Sequence, residues 1–136
     1  MTVGDFDANG KADLIVDFPG FGLWNYANRT SWSQVHPFDA THVATGDLDG
    51  NGVSDLIVDF GSQFGIWTLM NATSWSQLHP QTSTNIVTGD LDGNGQADVI
   101  VNFGASGLWE YKNNTSWIQL SSLSTGAIAV GRINAP

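Results

Sequence analysis

Gly46-Asp47-Leu48-Asp49-Gly50-Asn51-Gly52-Val53-Ser54-Asp55, followed at once by Leu56-Ile57-Val58-Asp59-Phe60, is the stretch that decides the fold. The same pattern, Gly-Asp-x-Asp-x-Asn-Gly-x-x-Asp and then an apolar run, occurs from Gly4 to Asp13 and from Gly89 to Asp98. The first aspartates, Asp5, Asp47 and Asp90, lie 42 and then 43 residues apart. Trp24, Trp67 and Trp109 recur with the same period, as do Trp32, Trp75 and Trp117. The chain is therefore an array of three similar units, and a period of this length signals a solenoid, a propeller or a stacked array.

Each unit divides into four short strands. In the second unit they are His42–Gly46, Leu56–Phe60, Phe64–Leu69 and Trp75–His79, with the acidic loop between the first two and Pro80 closing the last. β-Branched and aromatic residues fill the runs, and Gly, Asn, Ser and Pro fill the gaps. No segment sustains a helical period. Four antiparallel strands in about 42 residues is the size of a propeller blade, whereas a parallel β-helix uses shorter coils. The fold class is thus all-β: three four-stranded blades at about 1–41, 42–84 and 85–125, then one extra strand at about 126–132. Within a blade the second strand is expected to be buried on both faces. Three blades leave two apolar faces open, so a ring is expected to close by homo-oligomerisation, most simply as a dimer.

The acidic loops are candidate calcium sites. Calcium takes six to eight oxygens from carboxylates, amides, backbone carbonyls and water. The first loop offers Asp5, Asp7, Asn9, the Lys11 carbonyl and Asp13; the second, Asp47, Asp49, Asn51, the Val53 carbonyl and Asp55; the third, Asp90, Asp92, Asn94, the Gln96 carbonyl and Asp98. Up to three Ca2+ per chain are expected, in a structural role. The loop is not an EF-hand, which needs Glu at position 12, where Val16, Val58 and Val101 stand. Without cations, three loops carrying three aspartates each would repel themselves.

This metal loop, leading directly into an apolar strand, resembles the FG-GAP/VCBS repeat of the integrin α-subunit propeller, of many bacterial surface proteins and of an integrin-like fungal lectin. The resemblance spans all three units. The family's Phe-Gly word is echoed in Phe60-Gly61-Ser62 and Phe103-Gly104-Ala105, and Pro19 interrupts it in the first unit. It implies a propeller whose loops between first and second strands bind calcium, and an extracellular or cell-surface location.

The 136 residues carry a net charge of −9 and no cysteine. Motif aspartates account for most of the 13 acidic residues, so the acidity reads as metal demand. Only Lys11, Arg29, Lys112 and Arg132 are permanent cations, too few for a nucleic-acid partner. No apolar stretch suits membrane insertion. No signal peptide precedes the first repeat, and any leader is expected to have been removed.

Strand direction places Asp17, Trp24 and His36 near the rim opposite the metal loops. Asp59, Trp67 and His79 follow in the second unit, and Asn102 and Trp109 in the third. An aromatic face beside a carboxylate and an imidazole would suit a sugar, which offers C–H faces for stacking and hydroxyls for hydrogen bonds. Inter-blade packing is the competing role for the tryptophans. His42 has no counterpart and is assigned no role. Asn28, Asn71, Asn113 and Asn114 fit the N-glycosylation pattern but fall at hairpin turns that favour Asn for its backbone geometry. No nucleophile elbow, zincin helix or phosphate loop is present, so no enzyme is expected. The expected function is a calcium-stabilised, carbohydrate-binding module with weak multivalent sites; the second reading is an architectural or protein–protein adhesion array.

Overall fold

The computed structural model describes residues 1–130. Twelve strands form three four-stranded antiparallel sheets. The first sheet holds β1 (Thr2–Gly4), β2 (Asp13–Phe18), β3 (Gly22–Ala27) and β4 (Ser31–His36) in that order. The second holds β5 (His42–Gly46), β6 (Asp55–Asp59), β7 (Ile66–Met70) and β8 (Ser74–His79). The third holds β9 (Asn85–Gly89), β10 (Asp98–Asn102), β11 (Leu108–Lys112) and β12 (Ser116–Ser121). Within each sheet every strand pairs with its neighbour in the chain, the up-and-down order of a blade.

The third strand of the second sheet starts two residues later than the sequence suggested. The Phe60 amide donates to the Gly65 carbonyl at 2.9 Å and the Gly65 amide to the Gly61 carbonyl at 2.7 Å, so residues 61–65 close a tight loop instead. Gly65 has φ +76°, and a Cβ there would sit 2.4 Å from the His79 carbonyl oxygen, so only glycine fits.

Two apolar clusters lie between the sheets. Ile15, Leu23 and Val35 of the first sheet meet Leu56, Val58 and Leu69 of the second. Leu48, Ile57 and Ile66 of the second meet Val99, Val101 and Phe103 of the third. β6 and β10 are buried along their whole length, as a strand packed on both faces should be. β2 is not: Leu14 and Val16, which face away from the second sheet, are only half-buried.

The sheets are also stapled near the inner strands. The Thr45 hydroxyl donates to the Val3 carbonyl at 2.7 Å, and the Thr88 hydroxyl donates likewise to the Thr45 carbonyl.

The extra strand expected at 126–132 does not form within residues 126–130, and positions 131 and 132 lie outside the described residues. A strand needs a partner ladder, and among the described residues no strand pairs with this segment. The segment still runs where an inner strand of a next blade would: a Cβ on Gly89 would lie 2.0 Å from Val130 Cγ1, while the equivalent Gly46 faces Thr88.

Candidate metal centres and inter-sheet grooves

Each acidic loop folds around its first aspartate. In the second loop Asp47 Oδ1 accepts from the amides of Gly50 at 2.9 Å and Asn51 at 3.1 Å, and Oδ2 from Gly52 at 2.7 Å. Gly50 and Gly52 have φ +75° and +86°, values that turn the amides inward and that side chains resist. Asp5 and Asp90 are wrapped in the same way. The last aspartate of each loop comes from the following strand and is buried. Asp55 accepts from the Leu48 amide at 2.8 Å and from the Asn71 amide at 2.8 Å, and Asp13 and Asp98 repeat both bonds.

The three carboxylates of each loop bring one oxygen apiece to within 4.8 Å of one another: Asp5, Asp7 and Asp13; Asp47, Asp49 and Asp55; Asp90, Asp92 and Asp98. Asn9, Asn51 and Asn94 lie in the same loops, each accepting from the amide two residues on, that of Lys11 at 2.8 Å, Val53 at 2.8 Å and Gln96 at 2.9 Å. Burial, with the nearby charges of Asp49 and Asp47, holds Asp55 above the usual carboxylate range despite its two amide donors. For Asp90, the Gly95 amide and its neighbours outweigh burial and lower the pKa. Lys112 Nζ, 3.7 Å from Asp92, is the one side-chain ammonium paired with these clusters among the described residues. Hard oxygens converging on a short loop in this way could hold a metal ion.

The sequence missed one member of each loop. Asn28, Asn71 and Asn113 sit at positive φ in the β3–β4, β7–β8 and β11–β12 turns, as turn residues should. Their side chains, however, reach back to the acid loops: Asn71 Nδ2 donates to Asp49 at 3.1 Å and its Oδ1 accepts from Asn51. Asn28 and Asn113 do the same to Asp7 and Asp92. Recurrence of these asparagines at the repeat period was the available signal.

At the opposite rim the expected clusters come apart. Asp59 is fully buried and accepts from the Gly61 amide at 2.8 Å, the Thr82 hydroxyl at 2.8 Å, and the Ser83 amide and hydroxyl at 2.7 Å each. Burial alone would raise its pKa, but the Ser83, Gly61 and Thr82 donors together carry it below the ordinary value. Asp17 accepts from the Ala40 amide at 2.9 Å, and Asn102 donates to Thr125 at 2.8 Å. Each fastens the segment that follows the fourth strand of its own sheet. His42, paired across the ladder with Asp59, keeps a buried Nδ1 without a hydrogen bond, 3.7 Å from that carboxylate.

The two rim histidines meet aromatic residues of the following sheet rather than the first tryptophan of their own. A β-bulge follows Leu23, Ile66 and Leu108 at the start of the third strand, so Trp24, Trp67 and Trp109 are re-aimed. Their indole N–H groups donate to the carbonyls of Phe21, Phe64 and Ser106. His36 does not join Trp24; its ring lies 4.6 Å from Phe60 and 5.4 Å from Trp75 of the next sheet. His79 repeats this with Phe103 at 4.6 Å and Trp117 at 5.5 Å. Both histidines accept at Nδ1, from the Phe38 and Gln81 amides at 3.1 Å, which leaves the proton on Nε2 in the neutral ring. Burial lowers both pKa values.

Two inter-sheet grooves result. The first, of about 260 Å³, is lined by His36, Phe38, Phe60, Phe64, Trp67 and Trp75 and is almost wholly apolar. The second, of about 280 Å³, is lined by His79, Gln81, Phe103, Ser106, Trp109 and Trp117. There Gln81 and Ser106 replace Phe38 and Phe64. Among the described residues no helix is long and apolar enough to cross a membrane. Comparison with family models, with curated proteins and with solved structures finds no match.

Proposed function

We propose that this chain is a calcium-stabilised propeller module of the FG-GAP/VCBS type that binds carbohydrate in its inter-sheet grooves, displayed outside the cell or on its surface. The observation that carries the reading is the second groove. Trp109, Trp117 and Phe103 supply aromatic faces, while Gln81, Ser106 and the Nε2–H of His79 supply directional polar groups. That mixture suits a ring with apolar C–H faces and a hydroxyl edge. The groove is smaller than the roughly 300–1,000 Å³ of drug-sized sites, which fits one sugar ring rather than a long glycan. Calcium acts at the far end of the sheets, where Asp47, Asp49, Asp55 and their counterparts would hold it and fix the loops.

A glycan array, followed by calorimetric titration of the best hit on calcium-loaded protein, tests the reading. Saturable weak binding that Trp109→Ala removes is the expected result. Silence from a folded, calcium-loaded sample leaves the alternative, an architectural or adhesion array. The first groove favours that alternative: its lining is almost wholly apolar, with Phe38 and Phe64 where the second groove has Gln81 and Ser106.

A further inference from the structure

The faces that meet inside the molecule are repeated at its two outer sheets, where nothing among the described residues covers them. Leu48 is 1 % exposed at the junction of the second and third sheets, but its counterpart Leu91 on the third sheet's outgoing face is 48 % exposed. Phe103 is 7 % exposed on the incoming face of the third sheet, and its counterpart Phe18 on the first is 39 % exposed. Phe38 stacks on Phe64 at 5.0 Å across the internal junction. Their counterparts, Leu123 on one outer face and Phe21 on the other, are 73 % and 71 % exposed.

We infer that two copies of this chain associate head-to-tail, the outgoing face of each third sheet covering the incoming face of the other copy's first sheet. The occupant is a second copy because the internal junctions already show the counterparts of these two faces packing against each other, with Leu48 in the place of Leu91, Phe60 and Phe103 in that of Phe18, and Phe64 in that of Phe21. Two copies supply six blades, within the usual range of four to eight for closed propellers, whereas three copies would exceed it. Both junctions then close by one two-fold axis, leaving no open face.

The new junction completes a third groove from both copies. Phe18, Trp24 and Trp32 of one copy form the aromatic wall that already lines an open hollow. The other copy contributes Ser121 and Leu123, where His79 and Gln81 stand at the internal junction. Ser121 Oγ accepts from the Leu123 amide at 3.1 Å, the bond that the histidine Nδ1 makes elsewhere, so the corner is shaped alike but carries no imidazole. The inner-strand seat beside Gly89, held by Val130 within one copy, goes to Val3 of the second. This association is independent of what the grooves bind.

Sedimentation equilibrium of the 136-residue chain in calcium at micromolar concentration is expected to give twice 14.5 kDa. A monomer overturns the inference. The double variants Phe21→Asp/Trp32→Asp and Leu91→Asp/Leu123→Asp change exposed residues and are each expected to be folded monomers, with unchanged far-ultraviolet circular dichroism. Mixing them should restore a dimer, because one variant keeps an intact outgoing face and the other an intact incoming face. Variants that stay dimeric, or monomers that mixing fails to pair, overturn head-to-tail docking. A chain ending at Thr125 should still dimerise; a monomer there shows that the inner-strand seat is not taken by the second copy and overturns the arrangement.

Discussion

The amide of Ala97 donates to the carbonyl oxygen of Asp47 at 2.8 Å, so the third acid loop is fastened to the second; Ser54 and Asp5 make the same bond one unit earlier, at 2.9 Å. The candidate metal loops are therefore a chain of linked turns, each bracing the next through a residue that itself lies inside an acid motif. A cation that ordered one loop would act on its neighbour through these backbone bonds.

Calcium is expected to raise the melting temperature, since an ion held only by the native state stabilises it by mass action. The informative quantity is the difference between melting points in calcium and in chelator. Asp49→Ala should shrink that difference, while Asp39→Ala should preserve it. Asp39→Ala should nevertheless lower both melting points, because Asp39 accepts from the amides of Gly20 and Gly22 at the far rim. Identical melting curves in calcium and chelator would remove the metal reading.

Asp59→Ala removes the acceptor of the buried Ser83 donors and of the half-buried Thr82 and Gly61 donors, and should cost about 2–4 kcal/mol in urea denaturation. The carboxylate also sets an acid limit. Its folded pKa lies below the unfolded value, so the stability it contributes is complete above the unfolded pKa, near 3.8, and is lost as pH falls through the folded value. Asp59→Asn should flatten that part of the stability profile; an unchanged acid slope would refute the assignment.

The histidines give a second, higher window. Burial depresses His36 and His79, so the unfolded chain binds more protons between the folded values and about 6.5. Stability should be full above about pH 6.5 and fall as pH drops toward the folded values. His36→Ser keeps an oxygen acceptor, as Ser121 does in the third sheet, but loses the contacts with Phe60 and Trp75. It should cost about 1–2 kcal/mol and reduce the pH dependence that sets in below about pH 6.5, measured by urea midpoints at several pH values.

Two glycines at positive φ separate backbone strain from collision. At Gly20, with φ +83°, a Cβ meets nothing within 4 Å, so Gly20→Ala should cost about 1 kcal/mol, the penalty of the left-handed region alone. At Gly65 the same change also drives the Cβ to 2.4 Å from the His79 carbonyl oxygen, and the loss should be several-fold larger. Equal melting points for the two variants would contradict the geometry.

The period of the sequence located all three acid loops and placed the second sheet's strands to within two residues at their ends, because the pattern of apolar runs and turn residues is local. What it did not reveal is which unit a side chain faces. His36 and Trp24 belong to one repeat, yet the histidine packs on Phe60 and Trp75 of the next, and a repeat alone does not say across which seam a residue points. The amide reach of Asn71 to Asp49 was hidden for a related reason: turn chemistry alone already accounted for the asparagine. The lost strand at 126–130 shows the limit of alignment, since matching residues form a strand only where a neighbour offers its ladder.

The strictly sequential pairing of the sheets bears on how the chain finds its structure. β1 to β4, β5 to β8 and β9 to β12 each assemble from hairpins whose turns span a few residues. The threonine staples that join inner strands bridge 42 and 43 positions, one repeat and no more. Nothing described here requires the ends of the polypeptide to meet before a unit is complete, unlike a Greek-key sandwich whose strands pair across most of the sequence. Relative contact order is therefore low for an all-β protein, and the search for the native state divides into three short, nearly equivalent problems solved side by side.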